Sequence, residues 1–162
     1  MTLYQHNNIV VLTMLPDFDE RGNLPAGRHR ATWQEVEQRY GVNEHRRRLL
    51  AGMKRMLLSL RNVGCKTTYM NGSFVTAKET PQDYDGCWDR RGVDLQLLRA
   101  TDPVLLDFTN GRAAQKLKYG GEMFPADIVE QSTGRIFVDF FTKDKTTGDA
   151  KGIIEIDVGG LA

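Results

Sequence analysis

The chain has 162 residues, 22 basic against 21 acidic side chains, a formal net charge of +1 and 40% hydrophobic residues. Such a length and apolar content suit one soluble globular domain, 1–162, with a real core. The balanced charge argues against a strongly basic nucleic-acid coat protein and against an acidic disordered tail, and no run approaches the ~20 apolar residues needed to span a bilayer.

Residues 1–31 read as an irregular segment packed on the domain. The apolar run 9–12 reads as a peripheral strand or packed coil, and no basic n-region marks a signal peptide. Residues 17–28, with Gly22, Pro25 and Gly27, read as a loop over the body. Thr32 and Glu35 have the spacing of a capping box, so a short helix is expected from there to about Tyr40, stopped by Gly41. Asn43 then caps a longer helix, 44–62. Its Leu49, Leu50, Met53, Met56, Leu57 and Leu60 recur at intervals of three and four and so share one face. The same helix carries His45, Arg46, Arg47, Arg48, Lys54, Arg55 and Arg61. They read first as a solvated face and second as an electrostatic surface for RNA or a polyphosphate.

A β-rich run, 66–70, leads into Gly72-Ser73, and 83–88 reads as a further strand. Residues 93–98 suggest a helical turn, and 102–108 are ambiguous between helix and strand. A helix is expected within 111–121, ending at Gly120-Gly121, with Pro125 as a break. Residues 136–141 (Ile-Phe-Val-Asp-Phe-Phe) read as a strong strand, 142–152 as a polar hairpin-like connection, and 153–158 as the last strand. The mixture predicts an α+β (mixed α/β) fold: a small mixed sheet flanked by helices. Cys65 and Cys87 lack CxxC spacing and are expected as reduced thiols in a cytoplasmic protein.

The chemistry concentrates at 72–88. On a strand, Asp83 and Asp85 point to the same face, and two neighbouring carboxylates are costly without a cation between them. Gly72 lets the backbone approach a phosphate, and Ser73 offers a hydroxyl and an amide. Gly-Ser followed by Asp-x-Asp suits Mg²⁺-assisted phosphoryl or nucleotidyl transfer, against the plainer reading of a turn with two solvated aspartates. A two-metal site needs a third carboxylate. Asp139, alone among the apolar residues of 136–141, is the first candidate; Asp107 is second, and Asp157 or Glu155 third.

Gly72-Ser73, nine residues, then Asp83-Tyr84-Asp85 resembles the signature of the DNA polymerase β-like nucleotidyltransferase superfamily and its minimal single-domain members. Asn71 and Gly86 stand where that signature has hydrophobic residues. A second resemblance covers nearly the whole chain. Leu24-Pro25, Gly27 and His29, the run 45–50, the run 72–76, Asp83 to Trp88 and the run 110–116 are similar to a bacterial family of unknown function, DUF6932, whose members look like small nucleotidyltransferases.

By position, the resemblance implies that Ser73, beside Gly72, touches the β- or γ-phosphate. Asp83 and Asp85 would be metal ligands, with Asp139 as third acid. Lys78, the sole Lys or Arg between Ser73 and Asp83, would be a triphosphate contact. Arg112 and Lys116, four apart on a helix, would face phosphate or an acceptor nucleic acid, or else solvent. The expected activity is Mg²⁺-dependent transfer of a nucleoside monophosphate from an NTP to a hydroxyl of a tRNA 3′ end, a protein or a small molecule. The resemblance of small superfamily members to toxins adds a cognate antitoxin as a partner. The rival expectations are a nucleotide-binding or protein-interaction module without catalysis, and a phosphohydrolase using the same acids.

Overall fold

The computed structural model describes residues 2–6, 9–13 and 15–161. Its centre is a mixed five-stranded sheet in the order β3-β9-β4-β5-β6, made by β3 (Gly27–Ala31), β4 (Thr67–Asn71), β5 (Tyr84–Trp88), β6 (Gly121–Pro125) and β9 (Gly152–Asp157). The β3–β9 and β5–β6 pairs are parallel, while β9–β4 and β4–β5 are antiparallel. β1 (Thr2–His6) and β2 (Ile9–Thr13) form a separate antiparallel pair, the strand alternative for that segment. The fold is α+β.

α1 (Trp33–Tyr40) begins as the sequence predicts. Thr32 Oγ1 accepts from the Glu35 amide at 3.2 Å, and Glu35 Oε2 accepts from the Thr32 amide at 2.6 Å. α2 (Glu44–Asn62) starts at Asn43, whose side chain accepts from the Arg46 amide. Its six predicted apolar positions are all buried. They pack against the sheet face carrying Met70, Tyr84, Trp88, Met123, Ile154 and Ile156. Strand alternation sends Tyr69, Asn71, Asp85, Cys87, Glu122, Phe124 and Ile153 to the opposite face. Part of that face is covered by a second cluster, Tyr69, Cys87, Val138, Phe141 and Ile153, against Phe124, Phe137 and Phe140.

α3 (Leu95–Thr101) is followed by a 3₁₀ turn at Pro103–Leu106, which resolves the ambiguous segment as helical. α4 (Ala113–Tyr119) ends at Gly120 in the left-handed conformation, as the glycine pair predicts. The expected strand at 136–141 is overturned. Only Arg135–Ile136 is strand, β8, pairing with β7 (Val129–Glu130), and Phe137–Phe140 is a short helix, α5. The aromatic run does not alternate in its contacts. Phe137 stacks on Phe124 at 4.1 Å while Phe140 and Phe141 pack on Phe137, a one-sided arrangement that a helical turn provides and a strand does not. The strand β3 falls in the segment read as irregular, and β6 lies between two residues read as breaks.

Candidate active site

β4 ends at Asn71, and the chain turns away at Gly72, where φ is +76°. A Cβ there would collide with Asp85 Oδ2, so glycine is required both by the backbone conformation and by the carboxylate behind it. Ser73–Val75 forms a 3₁₀ turn held by the Ser73 carbonyl, which accepts from the Thr76 amide at 3.2 Å and the Thr76 hydroxyl at 2.6 Å. The chain returns through Asp83 into β5. Register then sets Asn71 beside Asp85, and Asp85 beside Glu122 of β6. Asn71, Asp85 and Glu122 form a row across three strands on the face turned away from α2, with Asp83 at the mouth of β5.

Gly86 faces the helices. A Cβ there would come within 2.6 Å of the Tyr69 carbonyl and 3.0 Å of Met70 Sδ, so its departure from the expected hydrophobic residue is a matter of space. Asn71 is fully buried, and neither Nδ2 nor Oδ1 has a hydrogen-bond partner among the described residues. A buried amide beside a carboxylate is costly in that condition unless a polar ligand reaches it.

Two cations, Arg112 just before α4 and Lys116 within it, meet the acids. Arg112 Nε donates to Glu122 Oε2 at 2.8 Å, and Lys116 Nζ lies 3.5 Å from Glu122 Oε2 and 3.6 Å from Asp83 Oδ2. Arg112 adopts a left-handed φ of 61°, next to Asn110 at 48°. A non-glycine residue there stores ~1 kcal/mol of strain, as is common where a side chain must be aimed. Gln115, buried between them, accepts from the Met123 amide at 2.9 Å and fixes α4 over β6.

Burial, the hydrogen bond to Glu122 and the charge of Asp83 push the Asp85 carboxyl up to about 7. Burial also opposes the charge on Glu122. The Arg112 guanidinium, the proton held by Asp85 and the Lys116 ammonium outweigh it and keep Glu122 below its ordinary value. The Asp85–Glu122 pair therefore holds one proton near neutrality, on Asp85.

The loop after Gly-Ser is fastened by the first turn of α2. Arg46, 2% exposed, donates to the carbonyls of Phe74 at 2.8 Å, Thr76 at 2.9 Å and Lys78 at 3.1 Å. Asn43 Nδ2 donates to the Glu79 carbonyl, and His45 Nε2 bonds the Pro81 carbonyl. Arg46 is thus a buried organiser of this loop, not part of a solvated face. Lys78 gives its carbonyl to Arg46, and its side chain is exposed with no ion pair among the described residues.

The structure brings Gly72, Ser73, Asp83, Asp85, Arg112 and Lys116 together. It does not bring Asp139 to them. Asp139 sits on α5, its side chain 57% exposed, and faces Arg28 at 3.7 Å. Asp107 accepts from the Thr109 amide and hydroxyl in a local turn. Glu155 pairs with Arg30, and Asp157 accepts from the Gly159 amide. The acid missed in the sequence is Glu122. Its signal was a lone acid in a five-residue segment, Gly121–Pro125, short enough to be hidden by the glycine pair before it and the proline that ends it.

Among the described residues, no three carboxylate, imidazole or thiol groups already converge as a metal cage. Lys116 lies between Asp83 and Glu122 and supplies the positive charge there. The residues nevertheless fit a hard divalent cation. Asp83, Asp85 and Glu122 offer oxygen donors, the Asn71 amide is unpartnered beside Asp85, and the missing Cβ of Gly72 leaves room next to the Asp85 carboxylate. Mg²⁺ is commonly held by one or two carboxylates with water and substrate phosphates completing its shell, so a closed cage is not needed.

Among the described residues, no helix is long and apolar enough to cross a membrane. Residues 16–157 match the family described as DUF6932, a family of unknown function. No match was found among curated proteins or among solved structures.

Proposed function

We propose that this chain, which belongs to the DUF6932 family, is a Mg²⁺-dependent nucleotidyltransferase that moves a nucleoside monophosphate from an NTP to a hydroxyl acceptor. The observation that carries the proposal is the row Asn71, Asp85 and Glu122, with Asp83 at its mouth and Gly72-Ser73 at its end. Asp83 and Asp85 would hold the metal. Glu122, not Asp139, takes the role of the third acid. Mg²⁺ held by these residues would neutralise the triphosphate and lower the pKa of the attacking hydroxyl.

The chain's own groups supply the rest. Ser73 and the Gly72 backbone receive phosphate oxygens, with no Cβ in the way. The acceptor oxygen forms a bond to the α-phosphorus, the bond to the bridging β-phosphate oxygen breaks, and pyrophosphate leaves. The hydroxyl proton passes to a carboxylate of the site. Arg112 and Lys116 balance the acids before substrate arrives and face the incoming phosphate charge afterwards. The acceptor would be an RNA 3′ end or a protein, and an antitoxin would be a further partner in a toxin–antitoxin setting.

One observation favours a second reading, a nucleotide-binding module without catalysis: Lys116 already stands between two of the acids. Incubation with each α-labelled NTP, Mg²⁺ and total tRNA or protein extract separates the two readings. Transfer of label by the wild type and its loss in Asp83→Ala/Asp85→Ala supports the enzyme. Nucleotide binding with equal label in both samples supports the module.

A further inference from the structure

Asn71 is the neutral member of the row of acids, and its amide is the one polar group there with nothing to bind. It is fully buried, and neither Nδ2 nor Oδ1 meets a hydrogen-bond partner among the described residues. Such an amide costs folding free energy that an apolar side chain would not. The surroundings would suit an apolar one. Tyr69, two residues earlier on the same face of β4, packs with Cys87 and Ile153 in the second cluster, and a valine at 71 would extend it. Position 71 is also where the chain departs from the signature it resembles, so what the amide does there is this chain's own.

A cost kept at one buried position points to a ligand that the amide meets in use. The register gives the direction. Asn71 pairs with Asp85, and Asp85 with Glu122. Directly opposed side chains have Cβ atoms about 5 Å apart, close enough for the amide and the Asp85 carboxylate to share one ion. Asn71 nevertheless makes no hydrogen bond to Asp85, and the cations at the site are engaged with Glu122 and Asp83. A single ion is small enough to sit against an amide whose polar atoms are shut off from solvent; a phosphate group needs a wider opening. Among the described residues the acids do not close a cage by themselves. An amide oxygen adds a hard donor of the kind Mg²⁺ and Mn²⁺ accept, and it adds no negative charge to a site that already has three carboxylates.

We propose that Asn71 Oδ1 is a direct ligand of the divalent cation held by Asp83 and Asp85, so that β4 contributes a neutral donor beside the carboxylates. Nδ2 is then left to donate to a carboxylate of the same site. The use of that ion in nucleotidyl transfer rests on the transferase reading above; the ligand role itself does not.

Mn²⁺ titrated into the full chain and followed by electron paramagnetic resonance is the test, with urea unfolding in chelator beside it. Asn71→Val should weaken Mn²⁺ binding about tenfold or more and raise the urea midpoint of the metal-free protein, two changes of opposite sign that a purely structural asparagine would not give. Asn71→Asp keeps an oxygen donor. It should hold Mn²⁺ within about threefold of the wild type or more tightly, while its metal-free midpoint falls. Asp85→Ala should weaken Mn²⁺ as Asn71→Val does, which locates the ion. Unchanged Mn²⁺ affinity in Asn71→Val or in Asp85→Ala, equal losses in the Val and Asp variants, or no Mn²⁺ binding by the wild type overturns the proposal. A lowered midpoint for Asn71→Val would mean an amide already satisfied within the protein and would overturn it equally. Label transfer keeps the two claims apart. If the wild type transfers label and Asn71→Val keeps its Mn²⁺ affinity, the ligand role is wrong and the transferase stands. If the wild type transfers nothing while Asn71→Val loses Mn²⁺, the transferase is wrong and the ligand role stands.

Discussion

Asp85→Asn should stabilise the metal-free protein, and by an amount that grows with pH. In the folded state the Asp85 carboxyl titrates at about 7, against an ordinary value of 3.8. Between those values the folded chain holds a proton that the unfolded chain has released, so wild-type stability falls as pH rises and levels off above about 7. At about 1.36 kcal/mol per pH unit, the interval from pH 5 to 7 alone removes about 2.7 kcal/mol, an upper figure because the site relaxes around the charge. Asparagine does not titrate, and its amide can donate to Glu122 as the protonated Asp85 does. Urea denaturation in chelator at pH 5 and pH 8 would measure this. The variant's advantage should widen by about 2 kcal/mol between the two, and added Mg²⁺ should narrow it by stabilising the wild type. Parallel stability curves for the two proteins from pH 5 to 8 would refute the claim that Asp85 is a buried member of a coupled pair.

In the transfer assay, Glu122→Gln should lower the rate about 10²-fold or more, while Asp139→Ala stays within a few-fold; the reverse order would restore Asp139 as the third acid. Arg46→Ala should cost about 3 kcal/mol in denaturant unfolding, because it strips hydrogen bonds from three carbonyls of the 74–78 loop. Arg46→Lys should recover little of that, since an ammonium lacks the planar fork. Asp102 accepts from Ser59, Lys118 and Tyr119 and is held below its ordinary value, burial opposing and those three bonds prevailing. Its contribution should therefore be complete above pH 3.8 and disappear as pH falls through the lowered value, and Asp102→Asn should flatten that part of an acid-unfolding curve. Cys65 and Cys87 are buried, and burial pushes the Cys65 thiol up to about 12, so both should react with a thiol reagent only at the rate of unfolding.

What was legible in the sequence follows the strength of local signals. α2 was readable to its ends because Asn43 caps it and six apolar residues recur at helical spacing. The turn at Gly72-Ser73 and the strand β5 were readable because their signals are carried by adjacent residues. Glu122 was not, because only the parallel pairing of β5 with β6 brings it beside Asp85, and nothing local records a pairing across 37 residues between Asp85 and Glu122. Asp139 was misplaced for the converse reason. A run of aromatic and β-branched residues has high strand propensity, but stacking on Phe124 decided its conformation.

The placement of positive charge bears on where substrate goes. α2 is the most basic element of the chain, yet several of its cations are used internally. Arg46 holds the 74–78 loop, Arg47 donates to the Gly41 carbonyl, Arg55 to the Lys118 carbonyl and Arg61 to the Leu161 carbonyl. A guanidinium bonded to a backbone carbonyl has given up part of the donor set that would bind a phosphate. The cations paired with the acids are instead Arg112 and Lys116, at the start of α4 and within it. An anionic substrate approaching the acids would therefore meet Arg112 and Lys116 rather than the cations of α2. Charge reversal tests this directly. Lys116→Glu should weaken tripolyphosphate binding and steepen neither folding nor stability loss beyond about 1 kcal/mol, since its pairs are partly exposed. Lys54→Glu, on α2, should leave binding unchanged. Equal losses in both variants would mean that the protein's overall charge, not the site, attracts the anion.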